Sequence, residues 1–260
     1  MPVNHNERIL IITPAKDEAE YIEKTIASMV AQTHRPALWV IVDDGSDDNT
    51  GELTNAAAAK YDWIKVLHRQ QGTQRRVGPG VIGAFYADLE TADMSQFGFV
   101  MKMDADTEVK PEYFERLMKQ FRANPRLGTA SGKCWVPVDG ELVLERTHDG
   151  FSHGVAKLFR RECFEEISGF VRQVMWDGIA SANCQQSVSL ADAAVCVYSV
   201  CGSVCDLDIV RPTLSHGWHS VVDYDLSPDG ARVRTASVSI SACQSSRKSG
   251  DVLVCRRTGG

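Results

Sequence analysis

Four short apolar runs punctuate the first hundred residues, and stretches of helical character separate them. They are Arg8-Ile-Leu-Ile-Ile-Thr13, Ala37-Leu-Trp-Val-Ile-Val42, Trp63-Ile-Lys-Val-Leu67 and Phe97-Gly-Phe-Val-Met-Lys-Met103. Each is too short for a buried helix and is closed by turn-forming or polar residues, which reads as a strand. Between them, Tyr21, Ile22, Ile26, Met29 and Val30 recur at helical spacing, and an alanine-rich helix runs through Lys60. Gly80 to Thr91 forms another helical stretch. Pro111 suits the first turn of a helix carrying Tyr113, Phe114, Leu117, Met118 and Phe121. Strands alternating with helices imply a largely parallel sheet covered on both faces.

The composition narrows the function classes. The chain has 260 residues and a formal charge of −6, so no basic surface points to nucleic acid or an anionic membrane. No apolar run reaches the roughly 18 residues of a membrane span. The longest approach, Ala193 to Val204, is too short. Met1 to Arg8 lacks a charged-then-apolar leader. These features predict a cytoplasmic protein, with peripheral attachment to the inner face of a membrane left open. Six of the eight cysteines fall at or after Cys184. Cys196, Cys201 and Cys205 lack the spacing of a structural zinc site.

The strand ends carry the chemistry. Thr13-Pro-Ala-Lys-Asp-Glu18 follows the first strand, Val42-Asp-Asp-Gly-Ser46 the second, and Asp104-Ala-Asp106 the fourth. A parallel sheet would bring all three to its carboxyl rim, where open α/β sheets bind ligands. Two carboxylates spaced i, i+2 can share a divalent cation and leave its other positions to phosphate oxygens and water. Asp43 and Asp44 have a simpler alternative, capping the next helix, although Asp47 or Asp48 could serve there. Arg75 and Arg76 lie in a polar loop and could meet a diphosphate.

These motifs, in this order and spacing, resemble the family 2 glycosyltransferases over about residues 7–179. Arg160-Arg-Glu-Cys-Phe-Glu-Glu-Ile-Ser-Gly-Phe170 is similar to the family's segment leading to a Gly-Gly-Phe turn beneath the acceptor site. The resemblance implies a GT-A (Rossmann-like) three-layer α/β/α sandwich with a mostly parallel central sheet. It implies a glycosyltransferase that moves a sugar from a nucleoside-diphosphate sugar to a saccharide or lipid-linked hydroxyl acceptor. Inversion at the anomeric carbon is expected, in polysaccharide or glycolipid assembly.

By the same resemblance, Thr13, Pro14, Ala15 and Glu18 match the loop holding base and ribose. Lys16-Asp17 stands where Tyr-Asn is commoner. Asp44 matches the carboxylate that accepts from a uracil-type base. Asp104 and Asp106 match the metal-associated motif, with Mn²⁺ or Mg²⁺ bridging the donor diphosphate. Such a cation stabilises charge on the departing diphosphate. Asp177, in Val174-Met-Trp-Asp-Gly178, matches the catalytic base that takes the acceptor proton. Trp176 beside it offers a wall for a sugar ring. The chain then reads Ile179-Ala-Ser-Ala, where the family continues with an acid and an arginine. His148, Asp149 and His153 lie near the acceptor side, where lone histidines are ordinarily structural or solvated.

Beyond Gly178 the composition shifts. No glutamate follows Glu166 and no phenylalanine follows Phe170. Residues 1–179 thus read as the nucleotide-sugar-binding and catalytic domain. Residues 180–260 read as an atypical tail, irregular or poorly ordered. Either it is a divergent loop-rich segment or it is out-of-frame sequence. In the second case the chain is a nucleotide-binding remnant without activity. His216 and His219, flanking Trp218, would join a metal site only in a native tail. Gly78-Pro-Gly-Val-Ile-Gly83 spells G-x-G-x-x-G and raises a dinucleotide-dependent oxidoreductase. That fingerprint must follow a buried strand directly, and the polar tract His68 to Arg76 is not one.

Overall fold

The computed structural model describes residues 5–69, 79–89, 92–138, 141–145 and 152–186, with four short strands at 198–199, 208–210, 222–225 and 232–235. All four apolar runs become strands: β1 (Ile9–Ala15), β2 (Leu38–Asp43), β3 (Ile64–His68) and β4 (Phe99–Met103). The intervening helices are α1 (Ile22–Val30), α2 (Thr50–Lys60) and α3 (Pro79–Leu89). Then follow β5 (Glu108–Val109), α4 (Tyr113–Ala123), β6 (Leu127–Ala130), β7 (Lys133–Val138), β8 (Glu141–Leu144), β9 (Ala156–Arg160), α5 (Arg161–Glu166) and α6 (Trp176–Gln186). The tail contributes β10 (Tyr198–Ser199), β11 (Asp208–Val210), β12 (Val222–Asp225) and β13 (Arg232–Thr235).

The central sheet has the order β10-β6-β9-β4-β1-β2-β3. Strands β4, β1, β2 and β3 are mutually parallel, and β9 runs antiparallel between β4 and β6. Along a strand, side chains alternate between faces, and two separate cores result. Ile9, Ile11, Trp39, Ile41 and Met101 pack with α1, α2 and α4. Leu10, Ile12, Val40, Val42 and Val100 pack with Ile82 and Phe85 of α3, Phe164 of α5 and Trp176 of α6. This is the expected three-layer sandwich. Helix α4 buries Tyr113, Phe114, Leu117, Met118 and Phe121 along one stripe, and each such side chain contributes about 1.5–3 kcal/mol on burial.

A second sheet, β5-β11-β7-β8, adjoins the turn after β4. Helix α6 runs across the boundary at 179/180, and β10 pairs with β6 while β11 pairs with β5 and β7. The chain divides into two compact units, 1–213 and 214–260. In the second unit, β12 and β13 form an antiparallel pair.

Candidate active site

Strand register places the three polar loops side by side. Ala15 pairs with Asp43 across β1 and β2, and Ile12 pairs with Lys102 across β1 and β4. The parallel strands therefore release their loops at one rim, in the order β4, β1, β2. The Asp44 N–H donates to the Ala15 carbonyl at 2.9 Å, extending the pairing beyond β2.

The first two loops are laced together. The Asp17 N–H donates to Ser46 Oγ (3.0 Å), the Asp47 N–H to Asp17 Oδ1 (2.8 Å), and the Glu18 N–H to Thr50 Oγ1 (2.8 Å). Lys16 Nζ, nearly buried, donates to the Gly45 carbonyl. Asp48 accepts from the N–H groups of Ala19 (3.0 Å) and Thr50 (2.9 Å). Asp48 thus serves the start of α2. Burial pushes its pKa up, but these bonds and the Thr50 hydroxyl outweigh that and hold it below the ordinary carboxylate value. The capping alternative for Asp43 and Asp44 is taken up by their neighbour.

Asp43 instead reaches across to β3. Its Oδ2 lies 2.9 Å from His68 Nδ1, and its Oδ1 accepts from the Ser46 N–H at 3.0 Å. Burial works to raise its pKa, yet Ser46 and then His68 hold the carboxyl below its usual range. Asp44 is different. Arg69 Nη1 stands 3.2 Å from Asp44 Oδ1, a distance for attraction but without hydrogen-bond geometry, so this buried oxygen has no hydrogen-bond donor. A buried acceptor in that condition is costly unless a ligand supplies the missing N–H.

At the end of β4, Asp106 is buried and Asp104 is partly exposed. The Asp104 N–H donates to the Val155 carbonyl at 2.8 Å, and Thr25 Oγ1 donates to the Ala105 carbonyl at 2.7 Å, so both sides of the turn are pinned. Two hard carboxylates one residue apart, on a fixed turn, form a donor set suited to Mn²⁺ or Mg²⁺. Thr107 Oγ1, next in sequence, is buried without a hydrogen-bond partner.

Sequence reasoning missed Lys102. It is almost wholly buried, ion-paired with Asp104 and 4.9 Å from the centre of the Trp176 ring. A lysine inside the apolar run before Asp104 was the available signal. Trp176 itself is 9% exposed, packed edge-on against Phe170 at 4.6 Å. With Lys102 against its ring, it serves the core rather than an open sugar wall.

Asp177 opens α6, after Met175 at a positive φ of 67°. Its carboxylate lies against Gly154: a Cβ there would stand 2.6 Å from Asp177 Oδ2. Its carbonyl accepts from the buried Lys157 Nζ at 2.7 Å. Tyr86 fixes the preceding turn, accepting from the Phe170 N–H (2.6 Å) and donating to the Phe170 carbonyl (3.0 Å).

The carried-over donor-loop residues divide. Thr13 is fully buried, and its Oγ1 accepts from Trp39 Nε1 at 2.9 Å, so that hydroxyl is committed to the core. Ala15 and Glu18 are also buried, while Pro14 is half-buried. Arg75 and Arg76 lie outside the described residues, as do His148, Asp149, His216, Trp218, His219, Cys196, Cys201 and Cys205. His153 is not the lone histidine the sequence suggested: Cys134 and Glu145 stand beside it. In the G-x-G-x-x-G stretch, Gly80 and Gly83 are inside α3 and Gly78 lies outside the described residues.

A mostly parallel α/β/α sandwich with acidic loops gathered on the rim of β4, β1 and β2 belongs to the GT-A class. Residues 10–133, just under half of the chain, match the family model "Glycosyl transferase family 2". Poly-beta-1,6-N-acetyl-D-glucosamine synthase of Staphylococcus aureus is 29% identical over 131 residues, 50% of this chain and 29% of that protein. The Staphylococcus epidermidis synthase is 26% identical over 127 residues, 48% of this chain and 28% of that protein. The match thus spans under a third of these relatives' length. Among solved structures, a mannosyltransferase of Pyrobaculum calidifontis in complex with GDP-Man and Mn²⁺ superposes with a TM-score of 0.56 at 18% identity, covering 81% of this chain and 58% of that one. S. aureus TarS 1-349 in complex with UDP-GlcNAc gives 0.57 at 15% identity, covering 82% and 62%. These likenesses share the fold.

Proposed function

We propose that this chain transfers a sugar from a nucleoside-diphosphate sugar to a hydroxyl of a saccharide or lipid-linked acceptor, with inversion, at the cytoplasmic face of a membrane where polysaccharide or glycolipid is assembled. One observation carries the reading: Asp44 Oδ1 is buried with no hydrogen-bond donor, on the same rim as Asp104 and Asp106. An N–H on the edge of a uracil-type base supplies what that oxygen lacks. The relatives named as N-acetylglucosamine polymer synthases and a neighbour solved with UDP-GlcNAc support that donor class.

In this reading, residues 1–179 hold the machinery. Asp44 orients the base, and the laced loops from Lys16 to Thr50 form the floor beneath the nucleotide. Asp104 and Asp106 would hold Mn²⁺ or Mg²⁺, which when bound supplies a positive charge opposite the diphosphate. Lys102 holds the Asp104 carboxylate in place. Asp177, fixed by the positive-φ turn and by Gly154, takes the proton from the acceptor hydroxyl as it attacks the anomeric carbon. Inversion follows from that single displacement.

A thermal-shift panel of nucleoside diphosphates with and without Mn²⁺ tests the donor half. UDP with Mn²⁺ should stabilise the chain most, and Asp104→Ala should abolish the cation-dependent part. An unchanged response in that variant refutes the metal assignment. The competing reading, a donor-binding chain without transfer, draws on the stretch Ile179-Ala-Ser-Ala, whose Ala180 and Ser181 are buried in the core. Binding of UDP without hydrolysis or transfer of UDP-GlcNAc would favour it.

A further inference from the structure

We propose that Cys134, Glu145 and His153 form a second cation site, selective for a thiophilic divalent ion of the Zn²⁺ type and distinct from the paired aspartates. One donor atom from each residue lies within 4.8 Å of the other two. His153 Nε2 and Glu145 Oε2 are already 3.2 Å apart. In a tetrahedral zinc site, bond lengths of 2.0–2.3 Å set ligand atoms about 3.3–3.8 Å apart, so one edge has that spacing and the thiol needs to close by at most about an ångström.

The backbone builds this arrangement. Strands β7 and β8 are antiparallel, with Trp135 opposite Leu144. That register sets Cys134 opposite Glu145, whose N–H donates to the Cys134 carbonyl at 2.8 Å. Directly opposed residues present their side chains on the same face. His153 enters from the segment before β9, where its N–H donates to Ser131 Oγ at 2.6 Å. The Val155 N–H meets His153 Nδ1 at 3.5 Å, which turns Nε2 toward Glu145. That contact is long enough to yield when Nδ1 takes the ring proton on metallation.

The donor set decides the metal. Sulfur, imidazole nitrogen and one carboxylate oxygen suit zinc, whereas Mg²⁺ and Ca²⁺ favour oxygen alone. Binding forms an S–metal bond and releases the thiol proton to solvent. Three protein ligands leave a fourth position for water. Cys134 is fully buried while Glu145 is about a third exposed, so the ion enters from the glutamate side. Occupancy ties the β7–β8 pair to the segment ending at Val155, whose carbonyl holds the Asp104 N–H. The site is therefore a clamp on the wall that supports the β4 turn.

Co²⁺ tests this on the full chain after chelator treatment. One equivalent should give a thiolate charge-transfer band in the near ultraviolet and visible bands of a tetrahedral centre. Zn²⁺ should displace it and Mg²⁺ should not. Cys134→Ser should abolish the charge-transfer band, Glu145→Gln should weaken Co²⁺ binding about tenfold or more, and Asp104→Ala should leave both unchanged. No band in the wild-type chain, a band that survives Cys134→Ser, or an unaltered affinity in Glu145→Gln overturns the site. Glu145 is outside the core, so its variant remains decisive even if Cys134→Ser unfolds.

Discussion

Lys102 and Asp104 form an ion pair from alternate positions at the end of β4, with the lysine buried and the aspartate partly open to solvent. The pair joins the turn after β4 to the aromatic cluster, because the same ammonium lies against Trp176, the residue before Asp177. A buried lysine is tolerated only with such compensation.

Lys102 also competes with a metal for the Asp104 carboxylate. Lys102→Met keeps the length of the side chain and removes the charge. Apparent Mn²⁺ affinity in the presence of UDP should rise, by about 3- to 10-fold given screening at a partly exposed carboxylate. Calorimetric titration measures this, and an affinity that falls would show that the lysine supports the cation.

Asp44→Asn replaces one acceptor oxygen by a donor with almost no change of shape. Preference for UDP over GDP should shrink by about 10- to 30-fold, because a lost or opposed hydrogen bond in a buried site is worth about 1.5–2 kcal/mol. Competitive binding of the two nucleotides reads it directly, and melting temperature should scarcely move.

Gly154→Ala tests the placement of Asp177. The new Cβ would meet not only the Asp177 carboxylate oxygen but also its Cβ at 2.8 Å, so the start of α6 must shift. Turnover should drop about 100-fold, the usual consequence of ångström-scale misplacement of a reacting group. UDP affinity measured without a divalent cation should stay within twofold, since Asp44 and the loops laced to it follow β1 and β2.

Asp43 gives the fold a pH dependence of known sign. Its folded pKa is below its unfolded one, so the stability from its ionised form is present above the unfolded value of about 3.9. That contribution is lost as pH falls through the depressed folded pKa. Asp43→Asn should therefore lower the melting temperature clearly at pH 7 and much less at pH 3. Equal losses at the two pH values would show that Asp43 acts through shape alone.

Much of this architecture was legible because strands buried on both faces leave continuous apolar runs, too short for a buried helix and closed by turn-forming or polar residues. Strands β1 to β4 followed from them, helix α4 from the helical spacing of its apolar stripe, and the rim from the parallel order of the strands. What escaped depends on tertiary pairing. Thr13 reads as a polar loop residue, yet its strand position turns it under Trp39. Lys102 sits inside an apolar run, where its charge looked incidental until Asp104 and Trp176 were seen around it. The cluster of Cys134, Glu145 and His153 is invisible to spacing because a strand pairing, not a local motif, assembles it. Strand β9 was missed as well: Ala156-Lys-Leu-Phe-Arg160 carries a fully buried lysine whose bonds to Asp177 and Ser181 could not be anticipated.

The reversed strand β9 sits between β4 and β6, and its insertion has a consequence for the order of assembly. Until residues 156–160 arrive, β4 is a naked flank with unpaired amides, and the Asp104 N–H lacks the Val155 carbonyl. A fragment halted before Val155 would carry every acidic motif of the rim and still leave the Asp104 turn unanchored. On the proposed function, the grip on a diphosphate is therefore acquired late, when the last inner strand slides home.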